Sequence, residues 1–299
     1  MQKLIDLKKE MRQGPDLMMP GLLSCQGCGT ALAMKLALKA LGERTVVVIP
    51  ACCWSIIIGV YPHSTLRVPV IHVPFETAAV AASGVRAGLD IRGESNVTVM
   101  AWAGDGGTFD IGLQSLSGAA ERNEDILYAC YDNEAYMNTG IQRSSATPVG
   151  AWTTTTPTGS LKQEPKKDIV SILLAHGIPY VATASVAYPD DFVNKFKKAK
   201  EIKGTRFIHI LSPCPPGWRI DSAKSIKVAR MATQSRIFPL YEVEAGRLSI
   251  TVKPEKTLSV REYLMSQGRF SQMSEDMVSQ VQAHAERRWK DLLNRETKT

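Results

Sequence analysis

The chain has 299 residues, of which 44% are hydrophobic and 22% charged, a composition that fits a soluble globular protein with a sizeable core. Its formal net charge is +7, from 36 basic and 29 acidic residues. The basic residues are dispersed and lack the stacking aromatic residues or recognition helix of a nucleic-acid-binding protein. We therefore exclude that class and expect a solvated basic surface. The clearest basic run, residues 162–167, is predicted to form a loop.

The first twelve residues are charged and lack the apolar stretch of a secretory signal. We therefore expect a cytoplasmic protein whose cysteines do not form a disulfide framework. The six cysteines are Cys25, Cys28, Cys52, Cys53, Cys130 and Cys214.

The cysteines nearest the amino terminus form the first motif with chemical potential. Cys25 and Cys28 have the two-residue spacing that lets neighbouring thiolates face one metal centre. Cys52 and Cys53 follow a predicted strand over residues 46–49. Cysteines placed at a strand end can lie close, in the folded chain, to cysteines that are distant in sequence.

A long apolar stretch, residues 45–61, raises the question of a membrane span. Pro50 and Gly59 interrupt it, and a buried strand followed by a helix explains it better. We therefore predict no insertion into a membrane. A separate helix is predicted over residues 30–41, which present a broad apolar surface.

Residues 75–84 are rich in small side chains, which suits a helix packed closely against its surroundings. Within this segment Glu76 is either a site residue or a carboxylate that the helix dipole favours near a helix start. His72 is predicted to be a satisfied histidine at a strand end.

A glycine-rich turn follows the next predicted strand, residues 97–102. Its glycines let the backbone approach a phosphate closely, and the helix predicted over residues 108–121 adds its N-terminus to an anion site. One carboxylate in the turn is a potential magnesium ligand. The turn consists of Gly104, Asp105, Gly106 and Gly107.

A second oxygen ligand follows the strand predicted over residues 126–131. Asn133 comes after Asp132 at the carboxyl end of this strand, where open α/β sheets place their ligands. Asp105 and Asn133 thus supply two hard oxygen ligands of the kind that magnesium prefers. Each motif alone is common turn chemistry, but their pairing favours a metal site. Cys130, inside the strand, is predicted to lie in the hydrophobic core.

The remaining elements settle the predicted fold class. Helices over residues 169–174 and 190–202 alternate with strands over residues 180–184 and 207–211, and Cys214 follows the last strand. This alternation predicts an α/β fold with a doubly wound, largely parallel sheet.

The pattern changes beyond Trp218, so we divide the chain into an α/β domain, residues 1–220, and a C-terminal α+β extension, residues 221–299. The extension is predicted to contain a helix, a hairpin over residues 240–252 and a closing helix over residues 275–295. It carries no evident chemistry. We expect it to pack on the domain and on partner subunits.

The paired turn and asparagine resemble the signature of thiamine diphosphate enzymes. The resemblance implies the thiamine diphosphate-binding fold, with magnesium held by the Asp105 and Asn133 side chains and by the carbonyl of Ala135. It also places the glycine turn and, more weakly, Glu76 near the diphosphate.

The cysteines narrow the resemblance to the beta subunits of 2-oxoacid:ferredoxin oxidoreductases, most closely the pyruvate enzymes. In that family two close cysteines, one further along and one distant cysteine bind a [4Fe-4S] cluster. Carried over, the ligands are Cys25, Cys28, Cys53 and Cys214. The spacing from Cys28 selects Cys53, and Cys52 is predicted to be packing. A structural zinc site and unligated buried thiols are the alternatives.

The loop over residues 138–157 is similar to the loop that follows the magnesium ligands in these enzymes. By that resemblance Asn138 faces the cofactor and the substrate carbonyl, where a neutral amide can donate a hydrogen bond to developing negative charge. Ordinary turn chemistry is the alternative for this segment.

The implied activity is oxidative decarboxylation of a 2-oxoacid, with pyruvate and coenzyme A giving acetyl-CoA and CO2 and with one-electron transfer to ferredoxin. The chain has no room for the second domain that completes a thiamine site, so an alpha subunit is expected, with gamma- and delta-type subunits for further clusters. Other 2-oxoacids, such as oxalate, 2-oxoisovalerate or 2-oxoglutarate, remain alternatives. So does a non-redox decarboxylase subunit with structural zinc.

Overall fold

Eight strands form a single sheet in this computed structural model, which describes residues 16–297. Six strands run parallel, and the last two form an antiparallel hairpin at one edge. The spatial order is β2-β1-β3-β4-β6-β5-β7-β8. The strands are β1 Thr45–Pro50, β2 Val70–Val73, β3 Thr98–Gly104, β4 Leu127–Asp132, β5 Tyr180–Ser185, β6 Arg206–Leu211, β7 Leu240–Glu244 and β8 Arg247–Val252.

Helices cover both faces of the sheet. They are α1 Gly29–Leu41, α2 Trp54–Ile57, α3 Ala78–Ile91, α4 Leu113–Glu121, α5 Ile169–Leu174, α6 Pro189–Glu201, α7 Pro215–Trp218, α8 Ser225–Gln234, α9 Val260–Met265 and α10 Glu275–Glu296. A π-helical turn, Gly106–Asp110, and two 3-10 turns, Ser222–Lys224 and Gly268–Phe270, complete the regular structure.

The four central strands are buried along their whole length, which explains their nearly continuous apolar sequences. A parallel strand covered on both faces has no solvated side, so it does not alternate between apolar and polar residues. On one face the core includes side chains of α1 and α6, and on the other those of α3, α4 and α5. The predicted α/β class and its largely parallel sheet are confirmed.

The C-terminal extension joins the same sheet. Strand β7 pairs antiparallel with β5, and β8 pairs with β7, so the predicted hairpin extends the sheet by two strands. A third hydrophobic cluster lies beneath the extension and includes Trp218, Tyr263 and Phe270. The division at residue 220 stays a prediction, because the two parts share one sheet.

Most predicted elements lie where the sequence placed them, but the helix expected from residue 108 does not. A π-helical turn occupies Gly106–Asp110, and the regular helix begins only at Leu113. The apolar stretch over residues 45–61 contains a strand and a short helix, as predicted. Within residues 16–297 no helix is both long and apolar enough to cross a membrane. The first twelve residues, on which the expected location rested, lie outside the described part.

The sheet explains how distant motifs meet. Strands β1, β3, β4 and β6 are consecutive neighbours and all parallel, so their carboxyl ends lie at one edge. The residues that follow them are Cys53, Asp105, Asn133 and Cys214. The start of α1 joins this edge, because the N–H of Gly29 donates to the carbonyl of Pro213 at 3.0 Å.

Candidate functional site

Three oxygen atoms from β3 and β4 converge at the sheet edge. Oδ1 of Asn133 lies 2.9 Å from the carbonyl oxygen of Ala135 and 3.0 Å from Oδ1 of Asp105. Nδ2 of the same amide faces Sγ of Cys53 at 4.0 Å. Rotating the amide by 180° would satisfy the oxygens with two hydrogen bonds, so this set of oxygens requires either that rotation or a cation.

Burial dominates the electrostatics of Asp105, which is 1% exposed. Burial, followed by the nearby charge of Asp132, raises the pKa of the Asp105 carboxyl well above its usual range. A hydrogen bond from Ser144 opposes that rise. The protein alone therefore holds this carboxylate at a cost, which a bound cation would offset.

The loop after β4 is held in a strained conformation. Glu134 has φ of 69°, a left-handed value that side chains disfavour. Its carboxylate contacts Nζ of Lys166 at 2.8 Å and Nη2 of Arg269 at 2.5 Å. The indole of Trp218 donates to the carbonyl of Asn133 at 2.8 Å. These contacts fix the backbone on either side of the Asn133 amide.

Asp132 connects this loop to the sheet interior. Burial would raise its pKa, but Lys166 at 2.5 Å and His209 at 2.7 Å outweigh that effect, and the pKa lies below the usual range. Burial lowers the pKa of His209, which keeps the ring neutral and leaves Nε2 to donate to Asp132. The carboxylate is thus charged and fully paired.

The glycine turn packs against two aromatic rings. A Cβ at Gly106 would lie 2.2 Å from the ring of Tyr136, and one at Gly107 would lie 3.2 Å from Phe75. The Tyr136 hydroxyl donates to Asp110 at 2.7 Å, which anchors the ring over the turn. No larger residue fits at Gly106 without displacing this tyrosine.

A cavity of about 140 Å3 opens beside the three oxygens. Asn138 is exposed and lies on its wall, as does Phe75. Glu76 is exposed and outside this wall, and its backbone carbonyl accepts from Ser115 at 2.7 Å. The structure therefore places Asn138 on the cavity that the oxygens line, but not the Glu76 side chain. The full lining is Ala51, Cys52, Cys53, Phe75, Gly104, Asp105, Tyr131, Asn133, Ala135, Tyr136, Met137, Asn138 and Thr139.

The four candidate cluster ligands gather at the same edge. Burial raises the pKa of Cys53, and its neighbours Cys52, Cys214 and Cys28 raise it further. Burial raises the pKa of Cys214 to about 12, again with contributions from Cys28 and Cys25. Cys53 and Cys214 thus lie near each other and near Cys28. In the described part of the chain, no three His, Cys, Asp or Glu side chains are arranged to hold a single metal ion.

The helix start contributes to the thiol environment. Burial raises the pKa of Cys28, while the N–H groups of Ala31 and Thr30, in the first turn of α1, lower it. Donors of this kind stabilise a thiolate once a cation is present. Cys25 is exposed at the rim of the group, whereas Cys130 is buried in the core as predicted.

Several residues around the site carry no sequence signal. Lys162 and Lys166 belong to the predicted basic loop, and the segment is indeed a loop. Lys162 is 2% exposed and Lys166 contacts Asp132 and Glu134, so the expectation of a solvated basic surface is wrong here. Arg269 lies 135 residues from Glu134 in sequence, beyond the reach of any local pattern.

Comparison with known proteins identifies the family of this chain. The family described as "Thiamine pyrophosphate enzyme, C-terminal TPP binding domain" matches residues 53–210. The chain is 50% identical over 282 residues to the ketoisovalerate oxidoreductase subunit VorB of Pyrococcus horikoshii, covering 91% of each chain. It is 48% identical over 274 residues to the pyruvate synthase subunit PorB of Methanothermobacter thermautotrophicus, covering 91% of this chain and 95% of that one.

A solved structure has the same fold. The 2-oxoglutarate:ferredoxin oxidoreductase from Magnetococcus marinus superposes with a TM-score of 0.58 at 23% identity, covering 72% of this chain and 79% of that chain. Fold and relatives therefore agree. The chain belongs to the thiamine pyrophosphate-binding beta subunits of the 2-oxoacid:ferredoxin oxidoreductases.

Proposed function

We propose that this chain binds magnesium thiamine diphosphate and a [4Fe-4S] cluster side by side, within a complex that oxidises pyruvate. The observation that carries the proposal is the convergence of three oxygens from Asp105, Asn133 and Ala135, with the Asn133 amide 4.0 Å from the Cys53 thiol. This edge thus offers hard oxygen ligands and soft sulfur ligands next to each other.

The oxygen spacing suits magnesium. Octahedral Mg2+ takes oxygen ligands at about 2.0–2.1 Å, which puts neighbouring oxygens about 2.9 Å apart. The Asn133 amide atom that faces this point lies 2.9 Å from the carbonyl oxygen of Ala135 and 3.0 Å from Oδ1 of Asp105, so an amide turned with its oxygen inward has that spacing to both. Two oxygens of the diphosphate and a water would complete the shell, as magnesium sites commonly have few protein ligands.

The thiol arrangement suits an iron-sulfur cluster. Four iron atoms each take one cysteine, so the thiols need not meet at a single point. Cys25, Cys28, Cys53 and Cys214 supply one thiolate each. The last three are partly buried, and the positive iron atoms would stabilise the thiolates that burial disfavours.

Thiamine diphosphate, when bound, supplies the electron sink for decarboxylation, and the cluster passes electrons on singly. The chain's own Asn138 lies exposed on the cavity wall, where its amide can donate to the substrate carbonyl. An alpha subunit completes the thiamine site, and gamma- and delta-type subunits carry electrons towards ferredoxin. Coenzyme A accepts the acyl group.

Two 2-oxoacids are candidate substrates. Relatives named pyruvate synthase and ketoisovalerate oxidoreductase share 48% and 50% identity with this chain, and these values do not separate the substrates. We propose pyruvate, with 2-oxoisovalerate as the second candidate. Reduction of methyl viologen by the assembled complex, with and without coenzyme A, compares the two directly. A higher kcat/KM for 2-oxoisovalerate would overturn the pyruvate assignment.

The cluster proposal is tested by metal analysis of the anaerobically purified complex. Cys53→Ser should remove the iron and acid-labile sulfide of the cluster on this chain, because a hydroxyl is a poor ligand for iron in such clusters. Cys130→Ser, at a buried thiol within β4, is the control and should retain both. Zinc without sulfide in the wild-type chain would contradict the redox proposal and support the structural zinc alternative.

A further inference from the structure

We propose that Ser144 and Thr147 are positioning residues that join the two ligand-bearing loops and thereby set the affinity for magnesium. The inference rests on the proposed metal site. Both residues are buried, Ser144 at 1% and Thr147 at 0% exposure. Neither hydroxyl is itself a proposed metal ligand. Each acts on magnesium binding through the ligand-bearing loop to which it donates a hydrogen bond.

Ser144 fixes the carboxylate of the first loop. Its hydroxyl donates to Oδ2 of Asp105 at 2.5 Å, while Oδ1 of the same carboxylate lies 3.0 Å from the Asn133 oxygen. The hydrogen bond therefore sets the rotation of the carboxylate about its own bond. It leaves Oδ1, rather than Oδ2, facing the position of the metal.

Thr147 fixes the second loop. Its hydroxyl donates to the carbonyl of Glu134 at 2.8 Å, one residue before Ala135 and at the left-handed position of the backbone. A peptide carbonyl held in this way limits the direction in which the next carbonyl, that of Ala135, can point. Thr147 thus helps to orient the Ala135 carbonyl, the one proposed protein ligand of the metal that belongs to the backbone.

One tight turn connects the two contacts. The N–H of Ser144 donates to Oγ1 of Thr147 at 3.0 Å, and the N–H of Ala146 donates to Oγ of Ser144 at 3.2 Å. Each hydroxyl therefore accepts a hydrogen bond from a backbone N–H within the turn and donates its own hydrogen to a ligand-bearing loop. This turn, residues 144–147, is a rigid link between the end of β3 and the end of β4.

The expected size follows from metal sites in general. Partners that hold the metal ligands, when removed, typically lower metal affinity by about 10- to 100-fold. We expect the assembled complex with Ser144→Ala or Thr147→Val to need at least about tenfold more Mg2+ for half-maximal binding of thiamine diphosphate. Equilibrium dialysis of thiamine diphosphate at increasing Mg2+ measures this directly, without turnover.

Ser145→Ala is the matched control. Ser145 lies in the same turn but contributes its backbone N–H, which donates to Asp110 at 3.1 Å and is kept in the variant. Its Mg2+ requirement should stay within about twofold of wild type. Ser144→Thr restores a hydroxyl and should recover much of the loss. A purely structural role would lower the thermal midpoint of the cofactor-free complex and leave the Mg2+ requirement unchanged.

The outcomes separate the two levels of the proposal. If wild-type complex binds thiamine diphosphate equally well without divalent cations, the proposed metal site itself is wrong. If wild type needs Mg2+ and both Ser144→Ala and Thr147→Val match the Ser145→Ala control, the metal site stands and the positioning role is wrong. Thr147→Val decides the question by itself if Ser144→Ala does not assemble.

Discussion

Two cavities in the described part of the chain differ in how their polar side chains are paired. The larger, about 780 Å3, lies between α6 and the β7-β8 hairpin, and the smaller, about 140 Å3, lies at the ends of β3 and β4. In the larger one, Lys195 is satisfied within the chain by Asp191 at 2.7 Å, the Thr183 carbonyl at 2.8 Å and Thr251 at 2.7 Å.

The smaller cavity is the reverse case. Its wall includes oxygens of Asp105, Asn133 and Ala135 that face one another without an intervening donor in the amide orientation described above. It also includes a turn where a Cβ would collide with Tyr136. Volume therefore says little about function here. The carboxylate, amide and carbonyl that converge on one point set the smaller cavity apart as the proposed site.

The largest expected effect comes from removing one of these oxygens. Asp105→Ala deletes the one charged magnesium ligand of this chain in the proposed site, and we expect at least a 100-fold loss in the affinity of the complex for thiamine diphosphate at fixed Mg2+, about 2.8 kcal/mol. Equilibrium dialysis measures it. Asp190→Ala, at a carboxylate on the wall of the larger cavity, is the control. Equal affinities in the two variants would erase the contrast between the cavities.

Two ion pairs of buried cations can be compared, one beside the proposed site and one beside the larger cavity. Glu134→Gln leaves the guanidinium of Arg269, 2% exposed, without its charged partner, and should lower the free energy of unfolding by about 3 kcal/mol. Lys195→Met should cost a similar amount, because it strands Asp191. Denaturant unfolding checks both.

Only one of the two variants should change cofactor binding. Glu134→Gln loosens the loop that carries Asn133 and Ala135, so we expect about a tenfold higher Mg2+ requirement. Lys195→Met should leave that requirement as it is in wild type. A raised requirement in both variants would mean that general destabilisation, and not the loop, controls magnesium binding.

The proposed ligands were easier to predict from the sequence than the residues that hold them in place. The buried runs before Cys53, Asp105, Asn133 and Cys214 predict strands, and parallel strands end at one edge, so the sequence alone indicates where these residues meet. The order of the strands is not visible in such runs, since each is apolar on both faces.

The supports were hidden for physical reasons. Ser144 and Thr147 look like ordinary turn residues, because their role depends on which loops the turn contacts in three dimensions. Lys166 looks like part of a solvated basic run, and only its ion pairs with Asp132 and Glu134 show otherwise. The π-helical turn after Asp105 replaced a predicted helix start, where local periodicity cannot distinguish the two.

The smallest expected effect concerns a lysine from that same loop. Burial, with Arg143 nearby, lowers the pKa of Lys162 to about 8. Below that pH the lysine is charged in both folded and unfolded chains. Between pH 8 and its unfolded value of about 10.4, only the unfolded chain keeps the proton, so the free energy of unfolding rises with pH.

Lys162→Met removes this dependence. The difference in the free energy of unfolding, wild type minus variant, should increase by about 2 kcal/mol from pH 7.5 to pH 10. Lys227→Met, at an exposed lysine, is measured in parallel as the control for replacing a lysine by methionine. Parallel curves for wild type and Lys162→Met would show that the lysine is hydrated in solution.

The contact between Arg269 and Glu134 changes how this polypeptide can be divided. Arg269 belongs to the C-terminal extension, yet its side chain also stacks 4.1 Å from the Trp218 ring centre, and Trp218 in turn holds the Asn133 carbonyl. A fragment that stops at residue 220 would keep all the proposed ligands and lose one of the two cations that pair with Glu134, in the loop between Asn133 and Ala135. Engineered minimal versions, or chimaeras that exchange tails between relatives, therefore need to carry the matching arginine segment with the cofactor edge.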